Sequence, residues 1–276
     1  MIYNDEIKNM ETAIVISSCD SFSDCWLPMI HSLHKNWPEC PYPIFIISNF
    51  KNLEEKGIDF INVGEDKGFG SNTKKALELI EADYIILFLD DFFLNGKVDN
   101  VMVNDHLNHC IQNNIDFLKI DYRDIIYRDE LRIADSIYCK NPLDIKYSLN
   151  TAIAIWKKKA LHSLCAEGFT AWDFERKGID YLRKNNLKIS SETILSTSFE
   201  KMTIRKICGT GAVCKGKWTA EGIKYLKENG FSYLIKNREI EGKFTRYLAS
   251  FYKPDSLLWL PFGVILRIIQ KLKINI

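Results

Sequence analysis

Two adjacent carboxylates, Asp90 and Asp91, close the most apolar run of the chain, Tyr84-Ile-Ile-Leu-Phe-Leu89. Neighbouring residues of a strand face opposite sides, so both acids serve one site only where the chain leaves the strand, as it does at the end of such a run. Beside an apolar sheet the two carboxylates repel each other and lose hydration. A divalent cation or a hydrogen-bonded sugar offsets both costs. A hard oxygen site of this kind suits magnesium or manganese carrying phosphate oxygens. The plainer account is a strand-end turn with two solvated aspartates.

A second acidic element is Trp172-Asp173-Phe174-Glu175, at an expected helix start. An aromatic there can stack on a sugar ring, and acids are favoured by the helix dipole. Glu175 is the preferred general base and Asp173 the alternative, although first-turn acids commonly only stabilise helices. Lys215-Gly-Lys217-Trp218 follows Gly209 and Gly211, and such a loop could close on a diphosphate with Lys217 at the phosphate; a solvated turn is the simpler account. Gly68 and Gly70 match neither the Walker pattern nor G-x-G-x-x-G. The pairs His31/His34 and His106/His109 are spaced by three residues on expected helices, without an H-E-x-x-H pattern, and read as ordinary helix histidines.

Stepping along the chain, Ala13–Ser17 reads as a buried strand, Asp24–Trp37 as a helix with one apolar face, and Ile44–Ser48 and Phe60–Val63 as further strands. A helix capped at Ser71 or Asn72 then leads to the strand Tyr84–Leu89. Val101–Ile111 is an expected helix, Phe117–Ile120 and Leu149–Trp156 are expected strands, and Lys157–Glu167, Ala171–Asn185 and Thr219–Glu228 are expected helices. This alternation predicts the α/β class: a mostly parallel sheet covered on both faces, with ligand sites at the carboxyl ends of its strands. The expected organisation is a domain over 1–218, divided near residue 100, and a helical C-terminal extension over 219–276.

With 276 residues, 46% hydrophobic and 26% charged, the chain is of ordinary globular composition. A formal net charge of +1 argues against a nucleic-acid binder acting by bulk attraction. The charge is uneven, however: residues 201–276 hold 15 Lys/Arg against 5 Asp/Glu, whereas 1–200 hold 22 against 31. Eight cysteines without a C-x-x-C pair fit reduced thiols in the cytosol. Neither a signal peptide nor an uncharged span is apparent. The apolar segment 257–273, carrying Arg267, Lys271 and Lys273, reads either as an interfacial helix on anionic lipid or as a helix docked on its own domain or a second subunit.

The opening AIVISSCD, the stretch EDKGFGSNTKKALEL and the strand IILFLDDFF resemble, in the same order, the nucleotide-sugar domain of GT-A glycosyltransferases, particularly bacterial enzymes of capsule and O-antigen assembly. The resemblance covers roughly the first hundred residues. It implies Ser17, Ser18 and Asp20 near the nucleotide, Asp66 toward the base, and Asn72 with Lys75 toward ribose or phosphate. It further implies Asp90 on the ribose side and Asp91 on a divalent metal, manganese or magnesium. The acidic motif is Asp-Asp-Phe where the family has Asp-X-Asp, so one carboxylate is missing. Trp172–Glu175 is similar to a Trp-X-Phe-Glu element late in some bacterial sugar transferases.

The expected activity is transfer of a sugar, with inversion, from a UDP-linked donor to a hydroxyl of a growing surface glycan or lipid-linked oligosaccharide. The expected location is the cytoplasm, with peripheral contact at the inner membrane face through 257–273. A nucleotidyltransferase would carry a basic glycine-rich loop after the first strand, where this chain has Ser17-Ser-Cys-Asp-Ser-Phe22. A non-catalytic subunit of a polysaccharide assembly complex is the reading from another class.

Overall fold

A computed structural model describes residues 11–120, 133, 136–144, 147–194, 204, 206–207 and 211–242. In chain order the elements are β1 (Thr12–Ser17), α1 (Ser23–Asn36), β2 (Ile44–Ser48), β3 (Ile58–Asn62), α2 (Gly68–Leu79), β4 (Tyr84–Leu89), α3 (Asn100–Gln112) and β5 (Phe117–Lys119). They continue with β6 (Tyr138–Lys140), β7 (Ala154–Lys157), α4 (Lys158–Leu164), α5 (Ala171–Lys184), β8 (Ser191–Ile194), β9 (Val213–Cys214), β10 (Lys217–Trp218) and α6 (Ala220–Glu228). Short 3-10 turns occupy Asp20–Phe22 and Ser232–Asn237.

Eight strands form one sheet in the order β3-β2-β1-β4-β7-β5-β8-β6, and β9 pairs with β10 as a separate hairpin. The run β3-β2-β1-β4 is parallel, as the strand and helix alternation predicts. Beyond β4 the sheet is mixed, because β7 runs antiparallel to both β4 and β5. The α/β class and the mostly parallel sheet flanked by helices are therefore found, with a reversed strand at its centre.

Both faces of the sheet are covered, and strand alternation explains how. On β1 and β4, Ile14, Ile16, Ile86 and Phe88 face one apolar layer with Trp26 and Met29 of α1. Ala13, Val15, Ile85 and Leu87 face the other, with Ala76 and Leu77 of α2 and Phe174 of α5. Each large side chain buried in this way contributes about 1.5–3 kcal/mol. Trp218, Tyr225, Leu226 and Leu234 join the first layer, which seats the hairpin and α6 against α1.

Several boundaries differ from expectation. The third strand is Ile58–Asn62, and α2 begins at Gly68, a turn before Ser71, so Asn72 lies inside the helix. The expected strand 149–156 is reduced to Ala154–Lys157, leaving 149–153 as a loop. Strands β6, β8, β9 and β10 were not anticipated. Among the described residues no helix is long and apolar enough to cross a membrane. The segment 257–273 and Cys208 lie outside the described residues.

Candidate active site

Register brings the first site residues together. In the parallel β1–β4 pair, Ser17 is level with Leu89, so Ser18 and Asp90 leave the sheet side by side. The Ser18 hydroxyl donates to Asp90 Oδ2, and Trp26 Nε1 donates to Ser18 Oγ at 2.7 Å. Strand order reverses here, since β2 and β3 lie on one side of β1 and β4 on the other; such a switch point opens a crevice at the carboxyl ends.

Asp90 and Asp91 are both 6% exposed. Burial pushes the Asp90 carboxyl well above the usual range, and the neighbouring Asp91 charge adds to this. Burial also raises Asp91, to about 6, while the Val213 N–H and the charges of Lys206 and Arg238 pull it back. The hairpin segment grips it: the Val213 N–H donates to Asp91 Oδ2 at 3.2 Å and the Ala212 N–H to its carbonyl at 2.7 Å. Gly211, with φ +83°, passes so close that a Cβ there would stand 2.2 Å from Asp91 Oδ2.

The antiparallel β7 contributes the opposite wall. Ala154 is level with Leu87, so the loop before β7 lies at the carboxyl end of β4 and presents Thr151. Both the amide and the hydroxyl of Thr151 donate to Glu175 Oε1, at 3.0 and 2.8 Å. No hydrogen bond engages Glu175 Oε2 among the described residues. One turn earlier on α5, Trp172 lines the cleft and is 56% exposed. Asp173 is used differently: it completes a capping box with Thr170 and pairs with Lys177 at 2.8 Å and Arg176 at 3.3 Å. Lys177 and Thr170 hold its carboxyl well below the usual range.

A cleft of about 470 Å³ gathers Ser17, Ser18, Asp66, Asn72, Asp90, Asp91 and Glu175 of the expected residues. Within it, Asp66 Oδ1 accepts from Gly68 N–H at 2.9 Å and from Asn72 Nδ2 at 2.8 Å, and Asn72 Oδ1 accepts from Lys67 N–H at 3.1 Å, which fixes the entry into α2. Gly70 is a packing position, since a Cβ there would lie 2.0 Å from the Ala166 carbonyl oxygen. Asp20, Lys75, Asp173 and Lys217 are not among the lining residues. The Asp20 carboxylate accepts the amides of Asn49, Phe50 and Lys51, and Lys75 Nζ donates to the Val63 carbonyl at 2.8 Å. Lys217 pairs with Glu239 at 2.6 Å.

Lys215, two residues earlier, is the one basic residue among the lining residues. With Gly216 it forms the two-residue turn between β9 and β10, at φ +50° and +78°, the pattern of a type I′ hairpin. Of the loop that sequence reasoning offered for phosphate contact, Lys215 lines the cleft and Lys217 does not; Thr151 and Phe22 were missed, and no sequence signal marks them.

The donor chemistry fits a hard divalent cation. The carboxylate pair offers oxygens only, is nearly dry, and faces a cleft in which Lys215 is the single cationic side chain among the described residues. Among the described residues no group of three or more His, Cys, Asp or Glu gathers to hold a metal. A cation here would therefore draw on Asp91 and Asp90 and complete its shell with phosphate oxygens and water, as magnesium commonly does.

No family model matches the chain, and no curated protein matches it. Solved structures similar to it include Staphylococcus aureus TarS 1–349, at 12% identity over 68% of this chain and 59% of that one, with a TM-score of 0.44. The same protein in complex with UDP aligns at 12% identity over 92% of this chain and 78% of that one, with a TM-score of 0.47. A cytidylyltransferase from Leptospira borgpetersenii aligns at 14% identity over 85% of this chain and all of that one, with a TM-score of 0.42. In the first of these alignments the chain spans less than two thirds of the TarS fragment.

Proposed function

We propose that this protein is a GT-A-like inverting glycosyltransferase that moves a sugar from a UDP-linked donor to a hydroxyl of a growing glycan. The observation that carries the reading is the convergence, on one cleft at the sheet's switch point, of a buried carboxylate pair, a carboxylate held by one oxygen, an exposed tryptophan and a lysine.

Thr151 fixes Glu175 through Oε1, so Oε2 is the oxygen that takes the acceptor hydroxyl proton. As the acceptor oxygen bonds to the anomeric carbon, the bond from that carbon to the diphosphate oxygen breaks. Attack from the side opposite the leaving group inverts the anomeric centre. The Lys215 ammonium neutralises charge growing on the leaving diphosphate, a role assigned to it rather than to Lys217 because Lys215 lines the cleft. Trp172 offers a face on which an acceptor sugar ring can stack. Asp90, bonded to Ser18, stands on the ribose side, and Asp91 would hold a magnesium or manganese ion that supplies positive charge to the diphosphate.

A thermal-shift screen of UDP, GDP, CDP, CTP, UTP and UDP-sugars, with and without manganese, tests the reading. A manganese-dependent upward shift with UDP and UDP-sugars is expected. No response to any nucleotide would indicate a non-catalytic subunit, and a shift with CTP or UTP but not with the UDP-sugars would indicate a nucleotidyltransferase.

A further inference from the structure

Arg238 lies outside the cleft lining yet touches one of the cleft's walls and stands beside the foot of the hairpin that forms another. Its Nε and Nη2 donate to Asp24 Oδ2 and Oδ1 at 2.8 and 2.6 Å, a two-point fork onto the first turn of α1. Nη2 also donates to the Ser21 carbonyl at 3.1 Å, and the guanidinium carbon lies 4.2 Å from the centre of the Phe22 ring. Ser21 and Phe22 form the wall that follows β1. The same carbon lies 5.6 Å from the Trp218 ring, at the foot of the hairpin whose tip is Lys215. The backbone beside Arg238 completes the attachment: the Trp218 N–H donates to the Glu239 carbonyl and the Glu241 N–H to the Trp218 carbonyl, both at 2.9 Å. The side chains of Arg238 and Asp24 are 9% and 11% exposed, so water does little to loosen the pair.

We propose that Arg238 is a positioning residue for the reaction, tying the turn after β1 to the β9–β10 hairpin and so fixing where the Lys215 ammonium stands relative to Ser18, Asp90 and Asp91. The inference rests on the nucleoside-diphosphate reading of the cleft. A lysine would keep the charge but not the fork, and could not bind Asp24 at two points while covering two rings. Sequence offers little hint of this, since the partners are 214 positions apart.

The test is a double-mutant cycle between Arg238 and Lys215 in the full chain. Binding of UDP, GDP and CDP with manganese is measured for wild type, Arg238→Met, Lys215→Met and the double variant. If Arg238 acts through the placement of Lys215, each single change weakens the tightest diphosphate about tenfold, and the double change adds no more than about twofold to the loss from Lys215→Met. Losses that multiply to about a hundredfold would make Arg238 a staple of general stability and overturn the proposal while leaving the donor reading intact. Absence of diphosphate binding in the wild type would overturn both. Should Arg238→Met fail to fold, Arg238→Lys enters the same cycle with the same two outcomes, its midpoint of unfolding recorded alongside.

Discussion

Replacing Gly211 by alanine probes how tightly the chain passes Asp91. The backbone at φ +83° is one that L-residues enter at a cost of about 1–2 kcal/mol. The new Cβ would stand 2.2 Å from Asp91 Oδ2 and 2.7 Å from its carboxyl carbon, so the carboxylate must move and give up its hydrogen bond from Val213. Loss of a hydrogen bond to a charged group adds about 1.5–3 kcal/mol. The sum of about 2.5–5 kcal/mol corresponds to a fall in Tm of roughly 5–20 °C at about 2–4 °C per kcal/mol. Gly216→Ala is the matched control: φ is +78°, but nothing lies within 4 Å of its Cβ, so only the backbone cost remains. Differential scanning calorimetry and diphosphate binding measured on both variants separate the contact from the strain. Equal Tm values for the two, with unchanged manganese-dependent binding in Gly211→Ala, would refute the close approach to Asp91.

Lys215→Met should weaken a nucleoside diphosphate about tenfold relative to the nucleoside alone, whereas Lys217→Met should leave both unchanged; calorimetric titration of UDP and uridine checks this. Thr151→Val removes one of two hydrogen bonds to Glu175 and should lower kcat about tenfold with little effect on donor KM, read from initial rates. His106 is buried against Tyr138, and burial lowers its pKa from 6.5 to about 4. The unfolded chain therefore binds the extra proton first as pH falls. The contribution is complete above pH 6.5 and is lost on acidification toward pH 4, amounting to roughly 3 kcal/mol, and this share of the pH dependence should be absent from His106→Gln when its urea unfolding is compared with wild type across that range.

The half of the sheet formed by β3, β2, β1 and β4 was legible because its signals are local. Tyr84–Leu89 is apolar at every position, so a buried central strand is its only comfortable place, and the acids that follow it must leave the sheet. The other half was not legible in the same way. Composition does not encode strand direction, so the reversal at β7 that delivers Thr151 to Glu175 is absent from the pattern. Polar residues at strand ends face a similar ambiguity. Ser18 turns toward Asp90, while Asp20, two positions on, turns back to the amides of Asn49, Phe50 and Lys51. Lys215 and Lys217 were separated only by the hairpin turn, which puts one in the cleft and the other beside Glu239.

The most direct test of the account is to compare donor binding and sugar transfer in Glu175→Gln. Thr151 can still bond the amide oxygen, so the side chain keeps its place but cannot accept the acceptor's proton. The account predicts donor affinity within about twofold of wild type and a fall in transfer rate of about 10² to 10⁴. Transfer at the wild-type rate in Glu175→Gln, with loss of transfer in Asp173→Asn, would contradict it.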